Sequence, residues 1–90
     1  MAIVFDPAKR AQALADRGLD FADAGEVFVN LLMENPDDRF DYGEPRFITV
    51  GLLGARTIVV VWTPRGEDRH VISMRKANAR EQRRYGKQLG

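Results

Sequence analysis

The stretch RFITVGLLGARTIVVVWTPRGEDRHVISMR, residues 46–75, decides the fold. It contains three β-rich runs, RFITVGLL, RTIVVVWT and RHVISMR, separated by Gly-Ala and by PRGED. Apolar and polar residues alternate with a period of two, and the breaks carry turn residues, so the reading is an antiparallel meander. A two-residue loop at Gly54-Ala55 sets Leu53 opposite Arg56 and, further along the ladder, Arg46 opposite Thr63. With residues 64–68 as the next loop, Thr63 also neighbours Arg69. Side chains alternate across a sheet. One face then carries Arg46, Ile48, Val50, Val59, Val61, Thr63, Arg69, Val71, Ser73 and Arg75. The other carries Phe47, Val60, Trp62, His70, Ile72 and Met74. This register brings Arg46 and Arg69 together at one end of the first face, with Arg75 further along it.

Upstream, a short apolar strand in IVF precedes Asp6 and Pro7. Aspartate accepts from free amides at a helix start and proline needs no donor there, so a helix begins here. Ala8, Ala11, Leu14 and Ala15 share a face, and Gly18 ends the helix. A second helix is expected from about Phe21 to Met33, because Phe21, Ala24, Val27, Phe28, Leu31 and Leu32 form an apolar stripe at helical spacing. The turn-rich stretch ENPDDRFDYGEP, residues 34–45, follows. Its carboxylates lack the spacing of a calcium loop, so it reads as a solvated loop with no metal.

Downstream, Asn78 and Glu81 have the spacing of a capping box, which starts a helix just after Asn78. Arg80, Arg83, Arg84 and Lys87 then share one helical face. Residues 1–68 hold seven basic and twelve acidic side chains, a balance of −5, whereas residues 69–90 hold seven and one, a balance of +6. The formal net charge of +1 conceals this polarity. Clustered cations of this kind suit a polyanion.

Ninety residues make one domain, 1–90, and the composition, 44% hydrophobic and 30% charged, is that of an ordinary globular protein rather than a disordered chain. The longest strongly apolar run, TIVVVW, is strand length, which argues against a membrane span. No secretory leader is read at MAIVFDPAKR, and the absence of cysteine excludes disulfides, thiol catalysis and cysteine zinc sites. The expected location is the cytoplasm.

FDPAK, FADAGEVF, DYGEPRFITVG, IVVVWTPRG and RHVISMRKANAREQRRY together resemble the BrnT family, toxins of bacterial type II toxin-antitoxin systems. The most specific parts are D-Y-G-E-x-R-F and I-S-x-R-K-A-x-x-x-E-x-x-x-Y. The resemblance implies an α+β, RelE-like fold: a small antiparallel sheet, here the three-stranded meander plus the short N-terminal strand, packed with two N-terminal helices and the basic C-terminal helix. It implies an RNA-cleaving toxin that inhibits translation. It also implies a BrnA-type ribbon-helix-helix antitoxin as partner, and operator DNA bound only through the toxin-antitoxin complex. The family usually has Lys-His-Gly where this chain has Asp16, Arg17 and Gly18. That departure keeps a second reading open, an RNA-binding or antitoxin-docking domain with weak or no catalysis.

RNA cleavage without metal or cofactor needs the 2′-hydroxyl deprotonated, the phosphoryl oxygens stabilised and the 5′-oxygen protonated as it leaves. Arginine suits the middle role because its fork gives two charged donors to phosphate. Arg46, Arg69 and Arg75 are the candidates, Arg46 and Arg75 also lying in the family motifs. Lys76 and Tyr85 complete the candidate catalytic set. Arg80, Arg83, Arg84 and Lys87 are the candidate RNA-binding set. His70, on the face opposite the arginines in this register, is a weaker candidate.

Overall fold

The computed structural model describes residues 2–86, and Lys87 therefore lies outside the described residues. Its elements run β1 (Ile3–Phe5), α1 (Pro7–Arg17), a 3-10 turn (Phe21–Asp23), α2 (Ala24–Val29), β2 (Leu31–Pro36), β3 (Phe47–Leu53), β4 (Arg56–Arg65), β5 (Asp68–Lys76) and α3 (Ala79–Gly86). The five strands form one mixed sheet in the order β1-β5-β4-β3-β2. The expected meander is its centre, β3-β4-β5, antiparallel throughout, while β1 joins β5 in parallel.

The capping expectations hold. Asp6 accepts from the Ala8 N–H at 2.9 Å with Pro7 as the first helical residue, and α1 ends at Gly18. At α3 the Asn78 side chain accepts from Glu81 N–H at 2.8 Å and Glu81 returns the bond from Asn78 N–H at 2.9 Å. Such reciprocal bonds satisfy two otherwise free donors.

The second helix is corrected. It ends at Val29, and Leu31–Pro36 forms an edge strand antiparallel to β3, with an irregularity between Leu31 and Met33. The stripe therefore divides: Phe21, Ala24 and Val27 are buried in the main core, whereas Leu32 and Met33 pack on the opposite side of the sheet and Leu31 is exposed. Two features stop the helix. Asn30 caps it by donating from its backbone N–H to Glu26 O at 3.0 Å, and its own carbonyl accepts from Leu52 N–H of β3 at 3.1 Å. Gly51 lies against the helix end so closely that a Cβ there would collide with the carbonyl oxygens of Val27 and Asn30. In α1 the buried residue is Ala13, and the expected stripe of Ala8, Ala11, Leu14 and Ala15 is exposed.

The register of β3 on β4 is as expected, with Leu53 opposite Arg56 and Phe47 opposite Trp62. The β4-β5 hairpin differs. β4 runs two residues further and β5 begins one residue earlier, with Arg65 opposite Asp68, so the loop is only Gly66-Glu67. Gly66 supplies the positive φ of 59° that the first position of such a tight hairpin turn requires. A bulge then shifts the ladder: Val61 faces Ser73 but Trp62 faces Val71, leaving Ile72 unopposed. A single unopposed residue exchanges the faces on one side of it. The shorter turn moves Arg69 and Val71 to the Trp62 face and pairs His70 with Thr63, and the bulge returns Ser73 and Arg75 to their predicted face.

The sheet thus has two distinct sides. α1, the 3-10 turn and α2 cover one, where Leu19, Phe21, Val27, Ile58, Val60, Trp62, Val71 and Met74 make the main core. The other side has a smaller cluster of Val50, Val59, Ala77 and Tyr85, closed by α3 at one end and open beside it. Burial of the larger cluster, at roughly 25 cal/mol per Å² of apolar surface, is the main force on the fold.

Candidate functional site

The open part of the second side is a cleft of about 540 Å³. β2, β3 and β4 line it with Met33, Val50 and Val59, and β5 contributes Ser73 and Arg75. Glu81 and Tyr85 of α3 close one wall, and Arg39, from the loop after β2, stands on another. The apolar floor and the place of Arg75 follow from strand alternation: Ile48, Val50, Val59 and Val61 point to the same side as Arg75.

Arg75 is held by Glu81 through two bonds, Nη1 to Oε1 at 2.7 Å and Nη2 to Oε2 at 2.9 Å, with a longer contact from Nη1 to the Lys76 carbonyl at 3.3 Å. The bond from Arg75 holds the Glu81 carboxyl at about 2, against the opposing effect of burial. Glu81 raises Arg75 in turn, while burial and the charge of Arg39 push it down. Arg75 thus has its two terminal nitrogens committed, and its side edge, Nε with the second hydrogen of Nη2, has no protein partner among the described residues. A phosphate can approach that edge without displacing Glu81.

Tyr85 is 7% exposed and packs with Val50, Val59 and Ala77, which makes it the anchor that fixes α3 to the sheet. It also lines the cleft, with Arg84 over its ring at 5.7 Å. Arg80, Arg83 and Arg84 are exposed on α3.

Three candidates sit elsewhere. Arg69, placed on the helix-covered side by the tight turn, stacks over Phe28 at 4.0 Å and lies 5.2 Å from the Trp62 ring, its Nε buried without a partner among the described residues. Lys76 pairs with Ile58, whose side chain belongs to the main core, so it is on that side too and is exposed. Arg46 lies over the Tyr42 ring at 4.0 Å and pairs with Glu44 at 3.3 Å, beside a separate depression lined by residues of the 36–47 loop. The predicted meeting of Arg46 and Arg69 is therefore corrected: the tighter turn pairs Arg69 with Pro64 instead of Thr63. Burial, with Arg65 acting in the same direction, pushes His70 below its ordinary range.

The acidic loop, read from sequence as merely solvated, is built. Asp37 is buried, and both its oxygens accept from Arg39, Nε to Oδ1 at 2.8 Å and Nη2 to Oδ2 at 2.9 Å. Tyr42 donates its hydroxyl to Oδ2 at 3.1 Å, and Asp41 accepts from Gly43 N–H at 3.0 Å. Arg39 is thus a cleft residue that sequence reasoning missed. Its signal was present, a lone cation in an acidic run two residues after Asp37.

The match to the family model for the ribonuclease toxin BrnT of type II toxin-antitoxin systems spans residues 5–81, from the end of β1 to the first turn of α3. The chain belongs to the BrnT family. The BrnT match takes in the whole sheet from β2 to β5 and the cleft residues Arg39, Arg75 and Glu81, and ends before Tyr85. No curated protein matches the chain. Asp16 and Arg17, the positions of the departure noted in the sequence, lie on α1 beside a different groove, shared with Lys9, Gln12, Phe21 and Ile72, and Arg17 donates to the Met74 carbonyl at 3.0 Å. Among the described residues no helix is long and apolar enough to cross a membrane.

Proposed function

We propose that this BrnT member is an RNA endonuclease that cleaves without metal, inhibits translation and acts in the cytoplasm, with the cleft of the second sheet side as its active site. The observation that carries this reading is Arg75: a guanidinium fixed by Glu81 that lines the open cleft, with Nε and one hydrogen of Nη2 unpaired among the described residues. A phosphodiester seated there receives two parallel N–H donors as charge develops on its oxygens. The 2′-oxygen attacks the adjacent phosphorus and loses its proton, the bond from phosphorus to the 5′-oxygen breaks, and that oxygen takes a proton. The products are a 2′,3′-cyclic phosphate and a 5′-hydroxyl. Tyr85 frames the site, and Arg80, Arg83 and Arg84 hold flanking phosphates.

The proposed partner is a BrnA-type ribbon-helix-helix antitoxin, with operator DNA bound through the complex. The second side of the sheet is the surface it covers, since α1 and α2 already cover the first. The test is single-turnover cleavage of a single-stranded RNA in the presence of a chelator, with mapping of the cleaved ends. Arg75→Ala should lower the rate at saturating protein by about a hundredfold, the scale for losing one transition-state donor. A parental rate in that variant would exclude the cleft.

The second reading, RNA binding without cleavage, draws support from Asp16 and Arg17. If the parental protein binds RNA and leaves it intact, and Asp16→Lys with Arg17→His restores cleavage, that reading stands.

A further inference from the structure

We infer that Arg39 is a second phosphate ligand of the cleft, its free outer edge gripping the RNA backbone opposite the free side edge of Arg75, with Asp37 and Tyr42 as positioning residues. The inference rests on the proposed active site and adds a residue to it. Arg39 uses the opposite half of its guanidinium from Arg75. Asp37 takes the side edge, Nε and Nη2, so the outer edge formed by Nη1 and the remaining hydrogen of Nη2 has no protein partner among the described residues. Its side chain is 64% exposed although its partner carboxylate is only 1% exposed.

That contrast gives the arrangement its meaning. A desolvated carboxylate is stabilised only by close donors, so Asp37 is tied to Arg39 and to the Tyr42 hydroxyl. Its backbone N–H donates to Arg46 O at 2.8 Å, which fixes the loop to the start of β3. Arg39 is thereby an exposed cation whose long side chain is already ordered, and less freedom remains to be lost when it binds. Its charge also reaches Arg75, whose proton affinity it lowers. Two like charges facing one concave site repel, and an anion between them relieves the repulsion. A diester phosphate has two unesterified oxygens, one for each fork.

The competing role for Arg39 is to neutralise Asp37 and nothing more. Arg39→Ala, Arg39→Lys, the double variant D37N/R39Q and Arg75→Ala separate the two. The double variant removes both charges together and leaves no unpaired buried carboxylate, so it folds where Arg39→Ala fails. For each folded variant, RNA affinity and single-turnover cleavage of one single-stranded RNA are measured at fixed salt, with the melting temperature as the control for folding. The expected result is a loss of about tenfold to a hundredfold in rate or affinity for D37N/R39Q, with Arg39→Lys retaining part of it through charge alone. A parental rate and affinity in D37N/R39Q beside a damaged Arg75→Ala overturns the role of Arg39 and leaves the cleft standing. Parental behaviour in both overturns the cleft itself. If the parental protein binds RNA without cleaving it, affinity alone decides by the same comparison.

Discussion

Arg69 and Arg75 are six residues apart on one strand, and the unopposed Ile72 between them sends the two arginines to opposite sides of the sheet. Alternation read from sequence has no means of detecting one extra residue, because the hydrophobic pattern on either side of a bulge remains intact. Arg75 kept its predicted side because two shifts cancel: the turn at Gly66-Glu67 in place of residues 64–68 moves the register by one, and the bulge moves it by one again; Arg69, before the bulge, has only the first. Arg69→Met should therefore keep the packing against Phe28 and Trp62, change stability by no more than about 1 kcal/mol and leave RNA cleavage at the parental rate, checked by urea denaturation and single-turnover kinetics. Glu81 gives a prediction of opposite kind. Its carboxyl titrates at about 2 in the folded protein instead of the ordinary 4.5, so between those values the unfolded chain binds more protons. The stabilisation it supplies is complete above about pH 4.5 and is lost as pH falls toward 2. The stability difference between the parental protein and Glu81→Gln should shrink over that window and be constant from pH 5 to 7, roughly, in denaturation series. An unchanged difference would mean that Arg75 does not hold Glu81 in solution.

At the scale of elements, the capped helices and the three central strands were legible because their signals are local: an acceptor before a proline, a capping box, a period of two bounded by turn residues. β2 was not. Leu31 and Leu32 continue the helical stripe of Phe21 to Phe28, and Asn30 alone is a weak local stop. The decision is tertiary, made by Gly51 and the free edge of β3, which needs a partner for its backbone groups. Gly51→Ala should accordingly destabilise the protein by about 3 kcal/mol, the upper part of the range for overpacking, because both atoms it meets are backbone carbonyls with little room to yield. A thermal melt reads it directly. A variant as stable as the parent would place α2 further from β3 than described. The neighbouring loop was misjudged for a related reason. An acidic run is usually solvated, and only the fold shows that Asp37 is buried and that the D-Y-G-E-x-R-F motif around Tyr42 and Arg46 supports it.

For the whole molecule, the division of charge between residues 1–68 and 69–90 becomes a division of labour. Within the cleft each arginine is matched by a carboxylate, Arg39 by Asp37 and Arg75 by Glu81, so these four groups sum to zero and attract RNA weakly at a distance. Long-range attraction falls to Arg80, Arg83 and Arg84, exposed on the adjoining helix. The two sets should separate in their response to salt. Each flanking cation that neutralises a phosphate contributes about 0.7 to the slope of log affinity against log salt on a single strand. Changing Arg80 and Arg84 together to Ala should reduce that slope by about 1.4 and weaken binding at low salt, while the cleavage rate at saturating protein stays near parental. Arg75→Ala should instead lower the saturated rate by about a hundredfold, far more than the helix changes do. Affinity titrations across a salt series, paired with single-turnover rates, measure both. If the helix variants slow the saturated step as much as Arg75→Ala does, α3 contacts the scissile phosphate itself and the separation between cleft and flanking helix is wrong.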